Sequence, residues 1–351
     1  MSYTVKALQK TGPQEPFQVV NIERRDPGAH DVVIDIKAAG ICHSDIHTIR
    51  AEWQEQAATH FPLTVGHEIA GVVSAVGSAV DKFKVGDRVG VGCMVNSCGE
   101  CSQCRAGHEQ YCAQMVGTYN AEDLDGSITQ GGYSQKVTVN ERFVLTIPDA
   151  LDFDRAAPLL CAGITTYSPL ERWAVTAGQK VAVLGLGGLG HMAVQIAAAL
   201  GAEVTVLSRS LKKADAALKL GASRTLATTE EGFFDQHRGE FDLILNTVSA
   251  PVDLDAYLSL LKPQGVLAMV GAAAEAMEVS AFGLILGSKV LSGSMIGGIA
   301  ETQRMLDFCA EHDLGAVIEK VSVDQVDAVY DRIVAGDVQF RAVIDTSTFE
   351  N

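Results

Sequence analysis

Lys180-Val181-Ala182-Val183-Leu184-Gly185-Leu186-Gly187-Gly188-Leu189-Gly190 is an apolar run that ends in glycines spaced G-x-G-x-x-G. It predicts a strand over Lys180 to Leu184, a tight turn, and a helix over Leu189 to Leu200. In such a turn Gly185 permits the bend, Gly187 lets the backbone approach a pyrophosphate, and Gly190 lets helix pack closely on strand. The helix N-terminus then offers free N–H groups to phosphates. The glycine pattern alone is weak, because an unliganded glycine-rich turn reads the same way. The surroundings strengthen it. Glu203 to Leu207 reads as a second strand, Lys212 to Leu220 as a helix, Phe241 to Asn246 as a strand, Asp253 to Leu261 as a helix and Gly265 to Val270 as a strand. Strand–helix alternation at this spacing, from about Ala156, means a doubly wound parallel sheet with right-handed crossovers.

The end of the second strand bears on the dinucleotide. Binders of NAD place Asp or Glu there to hold the ribose 2′-hydroxyl. Here the strand ends in Ser208-Arg209-Ser210, with Lys212 and Lys213 beyond, while Glu203 precedes the strand. A carboxylate would repel a 2′-phosphate, whereas hydroxyls and a guanidinium bind one. The reading is NADP(H). The alternative is that Arg209 and the lysines simply open a solvated helix, Lys212 in particular.

Upstream, the first 150 residues read as mostly β. Val32 to Lys37, Ile69 to Val73 and two segments within 134–147 have strand character, punctuated by Gly66, Gly86, Gly90 and Gly92. The last sixty residues hold a helix near Thr302 to His312 and a final strand, Arg341 to Asp345. No internal repeat is visible. At 351 residues, 47% hydrophobic and 20% charged, the chain has the composition of a globular protein of two domains and not of a disordered one. No apolar run reaches the length that crosses a bilayer, and the opening Met1-Ser2-Tyr3-Thr4-Val5-Lys6 lacks the apolar core of a signal peptide. With 27 basic and 43 acidic residues, a formal net charge of −16 argues against nucleic acid and anionic membranes as partners. A phosphate-bearing ligand therefore needs a local positive patch.

Four of the eight cysteines fall within 15 residues, in Cys98-Gly-Glu-Cys101-Ser-Gln-Cys104-Arg-Ala-Gly-His-Glu-Gln-Tyr-Cys112. In a chain with no secretion signal this clustering points to metal rather than disulfides. Four thiolates satisfy the closed tetrahedron of a structural zinc ion. An iron–sulfur cluster also takes four cysteines. His108, inside the lobe, reads as a surface residue, and Cys93 and Cys309 as small buried hydrophobes. Elsewhere Cys42-His43-Ser44-Asp45-x-His47, Gly66-His67-Glu68 and Cys161-Ala-Gly-Ile-Thr165 stand out. Cys42, His67 and Cys161 together make two thiolates and an imidazole, a set that leaves zinc an open fourth position; alcohol dehydrogenase is the reference example of that set.

On these residues the chain resembles the zinc-dependent medium-chain alcohol dehydrogenases, and most of all their cinnamyl alcohol dehydrogenase-like branch. The match runs from about residue 5 to 345. Its most specific pieces are Ala39-Gly-Ile-Cys42-His-Ser-Asp45, Gly66-His67-Glu68, the four-cysteine lobe, Cys161-Ala-Gly-Ile-Thr-Thr-Tyr-Ser-Pro-Leu170 and Ser292-Gly-Ser-Met-Ile-Gly-Gly298. The resemblance implies an α/β chain with a β-rich GroES-like catalytic domain over 1–155 and 293–351. This carries a zinc lobe at about 93–113, and a Rossmann doubly wound NADP-binding domain over 156–292 is inserted in it, with an active-site cleft between the two. It further implies catalytic zinc on Cys42, His67 and Cys161, with Glu68 as a carboxylate that displaces water or substrate. A second, structural zinc would sit on Cys98, Cys101, Cys104 and Cys112. Ser44 would exchange a proton with the zinc-bound oxygen and His47 would form the outer end of that relay. His43 would approach the pyrophosphate, Thr165 the nicotinamide, and Trp53 the substrate. Gly185, Gly187, Gly188, Leu189, Gly190, Ser208, Arg209, Ser210, Lys213 and Val270 complete the expected cofactor contacts. Residues 51–65 are slightly longer than is usual in the family, and Val65 stands where a proline commonly precedes Gly-His-Glu. The expected activity is hydride transfer between NADPH and an aromatic, allylic or broad range of aldehydes, in a cytoplasmic homodimer. A polyol or secondary-alcohol dehydrogenase with the same zinc is the rival within this chemistry, and a non-catalytic nucleotide-binding protein the rival outside it.

Overall fold

The computed structural model describes residues 2–55, 57–273 and 275–350. The chain divides into two compact units, one built from both chain ends up to Cys161 and from Gly297 onward, the other spanning Ala162–Ile296.

The first unit opens with an antiparallel hairpin, β1 (Ser2–Gln9) against β2 (Gln18–Arg25). Its main sheet centres on β3 (Asp31–Ile41), which is buried along its length except at Asp35, half-buried, and Lys37, exposed. The strands β4 (Ile69–Val76) and β5 (Arg88–Val91) follow outward on one side of it. The short β6 (Met94–Asn96) and β7 (Val116–Gly117) pair with each other at the cysteine lobe. The segment 134–147 supplies two strands as expected, β8 (Lys136–Asn140) on β3 and β9 (Leu145–Thr146) on β5.

The second unit is a six-stranded, wholly parallel sheet. Its strands are β10 (Lys180–Leu184), β11 (Glu203–Ser208), β12 (Arg224–Ala227), β13 (Phe241–Asn246), β14 (Leu261–Met269) and β15 (Val290–Gly293), arranged β12-β11-β10-β13-β14-β15. Strand order reverses between β10 and β13, the switch point at which doubly wound sheets bind ligands. The helix Gly190–Ala199 follows β10, where the sequence reading put it. β12 lies outside the strands expected from the sequence, and β14 begins at Leu261, not Gly265. Lys262 to Gly265 look like a break because they contain Pro263 and Gly265. They instead form a bulge, with Phe241 facing Leu261 and Leu243 facing Val266.

The chain then returns to the first unit through the helix Ile299–Glu311, β16 (Ile318–Val321), the helix Val326–Ala335 and β17 (Arg341–Asp345). Because β3 is eleven residues long, one of its edges serves two strands. Residues Asp31 to Asp35 pair with β8, and Ala38 to Ile41 pair antiparallel with β17.

The parallel sheet is held by a core in which Phe241, Ile244, Leu258 and Leu267 are fully buried. Replacing Phe241 with Ala removes a ring that its neighbours cannot close around. We expect a loss of about 3–5 kcal/mol, read as a lowered urea midpoint for this unit.

Candidate active site

β3 runs directly into Cys42, and its antiparallel partner β4 begins immediately after Gly66-His67-Glu68. Pairing of Ala39 with Ile69 therefore lays Cys42 beside His67 and Glu68, and the Gly40 N–H bonds the Glu68 carbonyl at 2.9 Å. Cys161 arrives at the end of the turn Ala157–Leu160. One donor atom from each of Cys42, His67, Glu68 and Cys161 lies within 4.8 Å of all the others, and the two thiol sulfurs are 3.8 Å apart. A tetrahedral ion with metal–sulfur bonds of about 2.3 Å spaces its sulfurs by about 3.8 Å. His67 Nε2 and Glu68 Oε2 are buried without a hydrogen-bond partner, a costly state that a cation among them would relieve. The donors present fit one divalent ion.

The local field is divided: it favours a thiolate at Cys42 and positive charge at His67, but keeps the proton on Cys161 and on Glu68. Burial alone would push the His67 imidazole down, yet Cys93, Asp45 and Cys42 around it carry it well above its ordinary value. The hydrogen bond from Cys161 holds the Cys42 thiol well below its own. Burial pushes the Glu68 carboxyl up to about 8, opposed by the guanidinium of Arg341. Arg341, only 5% exposed, pairs with Glu68 Oε1 and is delivered by β17. The carboxylate lies so close to the backbone that a Cβ on Gly40 would sit 2.0 Å from Glu68 Oε2.

Sequence reasoning missed Arg341, which is 273 residues from its partner and looks only like the charged first residue of an apolar strand. It also misread Cys93, which is half-buried, with its thiol 3.8 Å from the Leu160 carbonyl and hydrogen-bonded to Cys161, which lowers its pKa. Cys309 is fully buried, as expected.

The helix His43–Ile49 carries the remaining polar residues of this unit. Ser44 Oγ donates to Cys42 Sγ at 3.1 Å. His43 and His47, one helical turn apart, have ring centroids 5.0 Å apart, and His47 stacks on Trp53 at 4.7 Å and 25°. His47 Nδ1 is paired with Glu52.

In the lobe, the sulfurs of Cys98, Cys101, Cys104 and Cys112 also lie within 4.8 Å of one another, with 3.9 Å between Cys98 and Cys104 and 3.5 Å between Cys98 and Cys112. This spacing suits a single ion; an iron–sulfur cluster would hold its cysteines farther apart, around several iron atoms. Backbone N–H groups of Glu100 and Cys101 pull the Cys98 thiol down to about 6, which favours the ligating thiolate. His108 stays out of the set.

The second unit holds the nucleotide candidates. Gly185, directly after β10, has a φ of +90°, and a Cβ on Gly190 would sit 2.1 Å from the Gly185 carbonyl oxygen. At the third glycine the start of the helix thus lies close against the backbone at the strand end. Gly187, Gly188 and Leu189 lie between, and His191 Nδ1 bonds the Gly188 carbonyl at 2.8 Å. Thr247 Oγ1, just past β13, donates to the Leu184 carbonyl at 2.8 Å and so ties the two strands together at the switch point. Ser208 ends β11, Arg209 and Ser210 follow it exposed, and Lys213 Nζ reaches back to the Leu186 carbonyl at 3.3 Å. The Val270 N–H bonds the Asn246 carbonyl at 3.0 Å, at the ends of β14 and β13. Thr165 is buried in the first turn of the helix Ala162–Arg172.

Comparison with known proteins places this geometry. Residues 28–149 match the alcohol dehydrogenase GroES-like domain, and residues 188–311 the zinc-binding dehydrogenase domain. The chain is 57% identical over 350 residues to NADP-dependent alcohol dehydrogenase C 1 of Mycolicibacterium smegmatis, covering 99% of both chains. It is 47% identical over 349 residues to the aldehyde reductase YahK of Escherichia coli, covering 98% of this chain and 99% of that one. Among solved structures, a cinnamyl alcohol dehydrogenase of Sorghum bicolor superposes with a TM-score of 0.95 at 41% identity, covering 98% of each chain. With such likeness along its whole length, the chain belongs to the zinc-dependent medium-chain alcohol dehydrogenases, in their cinnamyl alcohol dehydrogenase-like branch.

Proposed function

We propose that this chain is a zinc-dependent, NADP(H)-linked alcohol dehydrogenase that reduces aldehydes, aromatic and allylic ones among them. The observation that carries the reading is the buried meeting of two thiols, an imidazole and a carboxylate with Nε2 and Oε2 unpartnered. Relatives named as an NADP-dependent alcohol dehydrogenase and an aldehyde reductase support it. Cys42, His67 and Cys161 would hold the catalytic zinc, with Glu68 as the carboxylate that could displace water or substrate there, and the lobe cysteines would hold a structural zinc. When bound, zinc supplies Lewis-acid polarisation of the substrate oxygen and NADPH supplies the hydride. Ser44 gives its hydroxyl proton to that oxygen as the carbonyl carbon is reduced, and His47 passes the replacement inward from solvent. Arg341 holds one oxygen of Glu68 and leaves the other free. Gly185 to Gly190 cradle the pyrophosphate on the N-terminus of the helix Gly190–Ala199. Ser208, Arg209, Ser210 and Lys213 hold the 2′-phosphate, and Thr165 and Val270 flank the nicotinamide. His43 reaches the pyrophosphate and Trp53 lines the substrate site.

The working form we propose is a homodimer. β15 is an edge strand, and Phe282, Ile285 and Leu286 in the segment that precedes it in the chain are 69%, 66% and 78% exposed, apolar surface that a second copy would cover. None of the eight cysteines is in a disulfide, as suits a reducing cytoplasm, and among the described residues no helix is long and apolar enough to cross a membrane.

Oxidation of NADPH followed at 340 nm with cinnamaldehyde-type aldehydes, against sorbitol with either dinucleotide, tests the activity. A preference for the polyol, or no turnover of aldehydes, overturns it. Cys161→Ala should reduce bound zinc from two to one per chain and abolish turnover, with the lobe zinc retained; full activity at one zinc per chain would refute the ligand assignment. Arg209→Ala removes a charge-assisted bond worth about 1.5–3 kcal/mol. The KM for NADPH should rise roughly 10- to 100-fold while that for NADH hardly moves. Light scattering should give twice the chain mass, and the mass of one chain for Phe282→Asp combined with Leu286→Asp.

A further inference from the structure

Asp45, the third residue of the helix after Cys42, is fully buried, and its two oxygens are used unequally. Oδ2 accepts the Cys42 backbone N–H at 2.9 Å and the Tyr133 hydroxyl at 3.0 Å. Oδ1 has no hydrogen-bond partner and lies 3.5 Å from His67 Nδ1. An imidazole whose Nδ1 faces a carboxylate keeps its proton there and presents Nε2 as the bare donor. Nε2 is the nitrogen found buried and unpartnered.

Two donors from different parts of the chain hold Oδ2, so the carboxylate cannot turn without breaking both bonds. The second donor is itself built in. The Tyr330 hydroxyl donates to that of Tyr133 at 3.2 Å, and both rings are buried. Tyr330 comes from the helix Val326–Ala335. Phe17 packs edge-on against Tyr330 at 5.4 Å, and its N–H bonds Asp327 on the same helix at 2.9 Å. On the inner side, the Tyr133 ring fills the space over Gly66, where a Cβ would lie 2.4 Å from it. Gly66 immediately precedes His67, so the same phenol bears on the backbone of the imidazole and on the carboxylate behind it. Tyr119 stacks on the His67 ring at 5.5 Å and 10°.

We infer that Tyr133, held by Tyr330, is a positioning residue for the metal-binding imidazole: by anchoring Asp45 Oδ2 it aims Oδ1 at His67 Nδ1 and so commits Nε2 to the ion. The inference rests on His67 being a zinc ligand. It predicts that an element from the far end of the sequence, the helix Val326–Ala335, tunes how firmly the catalytic metal is kept, without touching metal or substrate.

The test uses the zinc-loaded enzyme and its Tyr133→Phe and Tyr330→Phe variants, which keep both rings. Zinc release to a chromogenic chelator separates a fast and a slow ion, and cobalt substitution reports the ligand geometry by its visible absorption. Loss of a partner one bond beyond a ligand weakens metal sites by about 10- to 100-fold. One step further out, Tyr133→Phe should speed release of the catalytic ion by about 3- to 10-fold and shift the cobalt bands. Tyr330→Phe should act in the same direction but less, and lobe zinc should leave at its original rate in both. Release and cobalt spectra identical to the parent in Tyr133→Phe would overturn the inference, even if its Tm falls, since a merely structural phenol would lower Tm alone. Should Tyr133→Phe fail to fold, an unchanged release rate in Tyr330→Phe overturns it instead. A parent enzyme with only one zinc per chain would defeat the underlying ligand assignment, an outcome told apart by the metal count before any variant is made.

Discussion

The central constraint on the first unit is the pairing of β3 with β4, because it forces groups that resist burial into one buried place. Cys42 leaves β3 where His67 and Glu68 enter β4, and neither a carboxylate nor an imidazole lies comfortably in a low-dielectric interior without a partner. The rest of the unit answers that demand. Gly40 leaves room for the carboxylate, β17 brings Arg341 to one of its oxygens, and the turn before Cys161 adds a second sulfur. What the protein groups leave unsatisfied, His67 Nε2 and Glu68 Oε2, is what a cation would satisfy.

The second unit solves a different problem by simpler means. Its parallel strands are apolar on both faces and need helices on either side, and that layering leaves the strand ends at the switch point free to hold a ligand. The Gly185–Gly190 turn, Thr247 past β13 and the Val270 N–H all lie at the C-terminal ends of neighbouring strands. Lys213 Nζ, reaching the Leu186 carbonyl, brings a positive charge back over the turn. In a chain of net charge −16, local cations of this kind decide where a phosphate is tolerated.

Long-range order also explains why the final helix matters to a site built from early residues. Tyr330 and Arg341 both come from the closing segment, and each ends on a group next to a proposed ligand, Tyr133 and Asp45 in one case and Glu68 in the other. Such contacts give the metal surroundings a rigidity that the ligands alone do not supply.

Much of this was legible in the sequence. The β10 strand and its glycine turn, the spacing of the lobe cysteines and the final strand at Arg341 to Asp345 are local patterns, and local patterns follow from backbone geometry and short-range chemistry. The triad Cys42, His67 and Cys161 was read from residue types and resemblance; its meeting within 4.8 Å is a product of strand pairing and of the turn that ends at Cys161. The bulge that begins β14 four residues early, the thiol of Cys93 beside Cys161, the clasp of Arg341 on Glu68 and the phenol pair behind Asp45 left no mark in any window of sequence. Residue order alone determined which chemistry the chain carries, since ligand types and turn glycines are written locally. Which groups share a proton, a charge or an ion was decided only by tertiary structure, because those energies depend on distances of a few ångströms between residues up to 273 positions apart.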